Sequence, residues 1–133
     1  MSPNPETRQL LVRQCVAESI PRPVEEVPLD AYLMEELGAD SLTFLDIVFR
    51  LETEFDIQIT RGEIEKAARG DMTEDEFAPG GVISEAGLAR LRELMPESAE
   101  RIRPGLKPMG IYELFTARTF LNIVEGKLAE STP

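Results

Sequence analysis

The chain has 133 residues, of which 25 are acidic and 14 basic, for a formal net charge of −11, with no histidine and one cysteine. Without histidine there is no Ser-His-Asp triad, no histidine general base and no histidine metal ligand; one cysteine makes neither an internal disulfide nor a cysteine zinc cluster. The length suits one domain with a small core, and so acidic a surface is a poor partner for nucleic acid or an anionic membrane.

The charge is uneven: residues 1–59 carry a net −8, residues 60–110 a net −2 and residues 111–133 a net −1. The first residues, Met1-Ser2-Pro3-Asn4-Pro5, are polar and lack the apolar run of a signal peptide. No stretch approaches the length of a membrane span. A cytoplasmic location is the expectation.

Leu37-Gly38-Ala39-Asp40-Ser41-Leu42 is the most informative segment. Asp40 suits an N-cap, its carboxylate accepting from free N–H groups of a first helical turn. Ser41 then falls in that turn, at a helix end that carries partial positive charge and favours a phosphodiester. Gly38 allows an open, left-handed backbone that exposes the serine. By itself Asp40-Ser41 is also simply a good helix cap. From Leu42 to Phe55 the spacing predicts one helix, with Ile47, Val48, Leu51 and Phe55 on a core stripe. Leu42, Leu45 and Phe49 form a second apolar strip that starts beside Ser41 and has Asp46, Glu52 and Glu54 around it. That strip is either a docking surface or the edge of a wider buried face.

Further along, Asp71, Glu74, Asp75 and Glu76 lack the spacing of a calcium loop; Thr73 and Glu76 predict a capping box at a solvated helix start, with a weak divalent-ion site as the alternative. Pro79-Gly80-Gly81 marks a turn. Ser84 is a predicted N-cap for a helix over 84–95, whose Leu88, Leu91 and Met95 form a stripe ended by Pro96. Pro104-Gly105 and Pro108 enclose another loop, and residues 111–115 are an apolar lead-in expected to pack on the bundle. Residues 129–133 are expected to fray. There is no P-loop and no dinucleotide glycine fingerprint.

The motif at 37–42, the helix after it and Phe55-Asp56-Ile57-Gln58-Ile59 together resemble the acyl carrier proteins. The resemblance covers roughly residues 6–69 and 112–128. A helical stretch over 6–19, with Leu11, Val12, Cys15 and Val16 on one side, looks like the family's first helix, and Cys15 is expected to be a small core residue. Val27, Leu29 and Leu33 look like the buried anchors of its long loop, and residues 116–128, with Ala117, Phe120, Leu121, Val124 and Leu128, like its last helix. The implied fold is all-α, an up-down four-helix bundle in a single carrier domain over 1–133, with an extra helical insertion at about 70–111. Residues 64–69 would be the family's short helix; about forty further residues then intervene, beyond ordinary loop lengths.

What the resemblance implies for function is specific. Ser41 would receive 4′-phosphopantetheine from coenzyme A, with Asp40 and Leu42 flanking it. The protein would be a carrier and not an enzyme, with no metal of its own. It would hold acyl groups as thioesters for fatty acid, specialised lipid or polyketide biosynthesis. Its apolar interior would shelter the chain at about 0.8 kcal/mol per buried methylene. Partners would be a phosphopantetheinyl transferase and acyl-loading, synthase and acyltransferase enzymes with basic docking patches, engaged through Leu45, Asp46, Phe49 and Glu52 by a monomer. Thr43 and Thr53 stand where many members carry acids, and Arg50 adds a positive charge, which points toward a specialised pathway. The insertion is a shielding loop, a lid for an unusual acyl chain or a recognition surface bearing Arg90, Arg92, Arg101 and Arg103. A peptidyl carrier domain, or a helical interaction module without an arm, are the alternatives.

Overall fold

The computed structural model describes residues 4–59 and 63–131. Among them the regular elements are helical: α1 Pro5–Ser19, α2 Ser41–Phe55, α3 Glu63–Arg69, α4 Glu74–Phe77, α5 Glu85–Leu94 and α6 Ala117–Ser131, joined by loops and 3-10 turns. One isolated antiparallel bridge pairs Tyr32 with Thr116. The chain divides into two compact units, residues 1–59 with 115–133, and residues 60–114.

The first unit holds the three long helices α1, α2 and α6, each packed on the other two. Helix α1 starts where Asn4 accepts the Thr7 N–H at 2.8 Å, with Pro5 in a first-turn position that needs no N–H donor. It buries Val12, Cys15, Val16 and Ala17. Helix α2 buries Phe44, Ile47, Leu51 and Phe55, one stripe at helical spacing. Val48, expected on that stripe, is only half-buried, and Phe44 takes its place. Helix α6 contributes Ala117, Phe120, Leu121 and Val124. The rings of Phe44, Phe115 and Phe120 meet with centroids 5.3–5.9 Å apart, two of the three pairs edge-to-face.

Thr116 and Thr119 cap the buried start of α6 reciprocally. The Thr119 N–H donates to the Thr116 hydroxyl at 3.2 Å, and the Thr116 N–H to the Thr119 hydroxyl at 3.0 Å. This satisfies donors that would otherwise be orphaned in an apolar setting. The loop between α1 and α2 is held from both sides. Arg13 donates to the carbonyls of Val27 and Val24, at 2.8 and 2.9 Å, and Arg118 pairs with Asp30 at 2.7 Å while its N–H reaches the Leu29 carbonyl. Val27 and Leu33 are buried as expected, and Leu29 is half-buried.

The second unit contains α3, α4 and α5 and the 3-10 segments at Pro79–Gly81, Pro96–Arg101 and Pro108–Leu114. Thr73 and Glu76 form the expected capping box at α4, and Ser84 caps α5 by accepting the Gly87 N–H. Leu88, Leu91 and Met95 are buried, together with Phe77, Ile83, Ile102, Ile111 and Leu114. The buried Ser98 hydroxyl is satisfied by the Leu114 carbonyl at 2.7 Å.

The all-α class is as expected. Helix α3 packs on α5: its buried Ala68 is small, and Arg90 of α5 donates to the Ala67 carbonyl at 3.1 Å. The 111–115 lead-in is divided, with Ile111 and Leu114 buried in the second unit and Phe115 in the first. Helix α6 runs through Ser131, and 132–133 lie outside the described residues.

Two helical glycines separate packing from backbone entropy. At Gly126 an added Cβ meets nothing within 4 Å. Gly126→Ala is therefore expected to stabilise by about 0.5–1 kcal/mol, by restricting the unfolded chain. At Gly87 the same Cβ would lie 2.7 Å from Ile83 Cγ2 and 2.8 Å from the Phe77 ring. Gly87→Ala is expected to destabilise by about 1–3 kcal/mol. Urea unfolding midpoints should move in opposite directions.

Candidate functional site

The turn entering α2 positions the serine. Leu37 and Ala39 are buried on either side of exposed Gly38, whose φ of +74° belongs to the left-handed region. The backbone is tied at depth, the Ala39 N–H donating to the Leu33 carbonyl at 2.9 Å and the Leu33 N–H to Phe115 at 3.0 Å. With both neighbours turned inward, Asp40 and Ser41 emerge at the surface.

Asp40 has extended backbone and caps α2, its Oδ1 accepting the Thr43 N–H at 2.9 Å and the Thr43 hydroxyl at 3.0 Å. These bonds, the backbone N–H first, hold its carboxyl below the ordinary value of 3.8. Ser41 is the first residue of the 15-residue helix and is exposed. No hydrogen bond among the described residues engages its hydroxyl. A Cβ on Gly38 would meet nothing within 4 Å, so the approach is open on that side. An exposed hydroxyl, open space and the positive end of a helix dipole fit a phosphodiester-linked group on Ser41.

The outer face of α2 carries the second strip. Leu42 is 75% exposed, Leu45 51% and Phe49 68%. These side chains are therefore not the edge of a wider buried face. The carboxylates named as docking groups with them are already engaged. Asp46 accepts from Arg50 Nε at 2.8 Å, and Arg50 Nη1 reaches Glu18 of α1 at 2.7 Å. The Arg50 bond, helped by the Ser19 side chain, holds the Asp46 carboxyl low. Glu52 accepts the Ile59 N–H at 2.9 Å, and its own carbonyl accepts the N–H of Asp56. Asp56 ends the helix at φ +53°, a conformation aspartate tolerates better than most residues.

Cys15 is buried beside this network. Burial first, then Glu54 and Glu18, push its thiol up to about 11 against the opposing pull of Arg50. It is a protonated core side chain at neutral pH, as expected, and no nucleophile.

In the second unit, three of the four arginines proposed for recognition donate to backbone carbonyls. Arg90 donates to Ala67, Arg92 to Ile102 through two nitrogens at 3.1 and 2.8 Å, and Arg103 to Glu100. Among the described residues no group of three acidic or thiol side chains is placed to hold a metal ion. Nor is any helix there long and apolar enough to cross a membrane.

Residues 11–68 match the family model described as Phosphopantetheine attachment site, a match consistent with a member of the acyl carrier protein family. The matched span is somewhat under half of the chain and includes Ser41 and all of α2. Domains of this family carry covalently attached 4′-phosphopantetheine and are themselves non-catalytic. No solved structure matches the chain.

The cap generates a pH prediction. Because the folded pKa of Asp40 lies below 3.8, its charge contributes stability fully above that value and loses it as pH falls through the lowered one. Asp40→Asn keeps an acceptor oxygen without the charge. Its melting midpoint is expected to lie below wild type at neutral pH. The gap should shrink below pH 3.8 and close in stronger acid, read by circular dichroism.

Proposed function

We infer that this chain is an acyl carrier protein, modified on the Ser41 hydroxyl by a phosphopantetheinyl transferase and acting in the cytoplasm as a monomer. The observation that supports the reading best is the capped, exposed Ser41 at the start of α2, inside the segment that matches the family. In the modification the Ser41 oxygen forms a bond to the β-phosphorus of coenzyme A. The bond from that phosphorus to the bridging oxygen breaks, and the nucleotide leaves as a bisphosphate. The serine proton goes to a base on the transferase, which also holds the magnesium. The residues of this chain present the nucleophile: Asp40 fixes the turn, and the dipole of α2 favours the negative charge beside Ser41. The group, once attached, supplies a thiol for thioester carriage of acyl chains.

The single domain, with residues 70–111 as an insertion in it, belongs to the same proposal. The net −8 of residues 1–59 favours encounter with basic enzyme surfaces. Thr43, Thr53 and the positive Arg50 on α2 support a specialised lipid or polyketide-type pathway. Slow exchange with housekeeping fatty acid synthase enzymes is the expected outcome; normal rates would refute that assignment.

The direct test is intact mass after incubation with coenzyme A, magnesium and a broad-specificity transferase. A gain of one phosphopantetheinyl group is expected, and none in Ser41→Ala. Absence of the gain in protein purified from its own host as well would refute the carrier reading. Loading assays with acyl and aminoacyl donors then separate an acyl from a peptidyl carrier.

A further inference from the structure

We propose that Thr43 is a positioning residue for the modification of Ser41: its hydroxyl fixes the Asp40 carboxylate beside the serine, so that a cationic side chain of the transferase meets that carboxylate in one set orientation. The inference rests on the carrier reading for the identity of the enzyme. It gives a role to a side chain marked in the sequence only as the replacement of an acid.

Asp40 is the N-cap of α2, which makes Thr43 the third helical residue. An acid at that position accepts from the N–H of the cap residue, as Glu76 does toward Thr73 at the start of α4. Thr43 reverses the polarity. Its hydroxyl donates to Asp40 Oδ1 at 3.0 Å, beside its own N–H at 2.9 Å. An ionised carboxylate only accepts, which settles the direction of both bonds. Nor is this the default use of a helical threonine. Thr53 on the same helix turns its hydroxyl back to the Phe49 carbonyl at 3.0 Å, four residues earlier.

The second donor changes what the cap can do. A carboxylate held by one N–H still turns about its Cβ–Cγ bond, a torsion with a broad energy well. Two donors that converge on Oδ1 fix its plane. The two Thr43 bonds are also the leading causes of the lowered Asp40 pKa, with the Leu42 N–H adding less, so the group is an anion at neutral pH. That anion adjoins Ser41, and both residues are exposed. The serine oxygen has to reach a diphosphate, which a carboxylate at that place repels. An enzyme acting on this serine must therefore set a cation against Asp40. A carboxylate of fixed plane receives a guanidinium or ammonium without first losing rotational freedom. Thr43 acts through Asp40 and not on the reacting atoms.

Steady-state transfer from coenzyme A by a broad-specificity phosphopantetheinyl transferase, with the full unmodified chain as the varied substrate, tests this. Thr43→Val removes the hydroxyl and keeps the N–H and the shape. It is expected to raise KM for the chain about fivefold and to leave kcat within about twofold, because the contact is made when the enzyme binds. Thr43→Ser keeps a hydroxyl and should return KM to within about twofold of wild type. On an Asp40→Asn background, which offers the enzyme no charge to orient, Thr43→Val should add less than about twofold. A purely structural part in the helix start would carry the same loss on both backgrounds. Titrated by NMR in the unmodified chain, the Asp40 carboxyl should have a higher pKa in Thr43→Val than in wild type. Matching circular dichroism at the assay temperature guards against misfolding.

Wild-type KM in Thr43→Val, an equal loss on the Asp40→Asn background, or no restoration by Thr43→Ser would each overturn the proposal. Modification of the wild type with no effect of Thr43→Val refutes this inference alone. Absence of a mass gain in the wild type refutes the carrier reading, and the titration then still decides whether Thr43 holds Asp40: an unchanged pKa in Thr43→Val overturns that too.

Discussion

The turn from Leu37 to Asp40 is the constraint on which the site depends. A helix begins with N–H groups that its own backbone cannot satisfy, and a helix start at a surface must find acceptors for them. Here Asp40 supplies one through its carboxylate. It can do so only because Gly38 takes a left-handed conformation that places Leu37 and Ala39 in the core and leaves the next two residues outside. The core side of the turn is tied to Leu33, and through Leu33 to Phe115 at the entrance of α6. Exposure of Ser41 is therefore bound to the packing of the three-helix unit through an unbroken run of backbone hydrogen bonds and buried side chains.

A second theme is where charged side chains find their partners. Arg13 and Arg118 hold the long loop, Arg50 joins α1 to α2, and Arg90, Arg92 and Arg103 close carbonyls in the second unit. In each case the guanidinium fork answers two acceptors, or one carbonyl that has no helical partner. Exposed ion pairs of this kind contribute little to stability individually. Their consequence here is for the surface. They convert several formal charges of the sequence into internal links, so the pattern of charge that a partner meets is not the pattern in the sequence.

That difference explains what could be read in advance. The Asp40 cap, the left-handed Gly38, the Thr73–Glu76 box, the Ser84 cap and the stripes at 47/51/55 and 88/91/95 are all local: each depends on residues three or four apart. Phe44 was within reach of the same rule, standing three residues before Ile47, and its burial moves the core stripe of α2 toward the phenyl cluster. The links from Arg50 to Glu18, from Arg118 to Asp30 and from Arg13 to Val27 join residues far apart in the chain, and no periodicity announces them. Arg50 reads in the sequence as a positive charge on the helix, and the structure pairs it with Asp46 one turn away. The link from Arg90 to the Ala67 carbonyl, which ties α5 to α3, likewise joins residues far apart in the chain.

An exposed strip of two leucines and a phenylalanine is a hazard for a protein at cellular concentration, since identical copies offer one another the same surface. The acidity of this chain answers that hazard. It is concentrated in residues 1–59, the segment that bears the strip, so two copies approaching through α2 bring like charges together. Long-range repulsion of that kind does not require any acid to lie in the contact itself. Charge at a distance and an apolar centre on the exposed face are compatible demands on one helix. Asp46 paired with Arg50, and Glu52 held by the Ile59 N–H, stand at the edges of that centre, with the leucines and Phe49 between them.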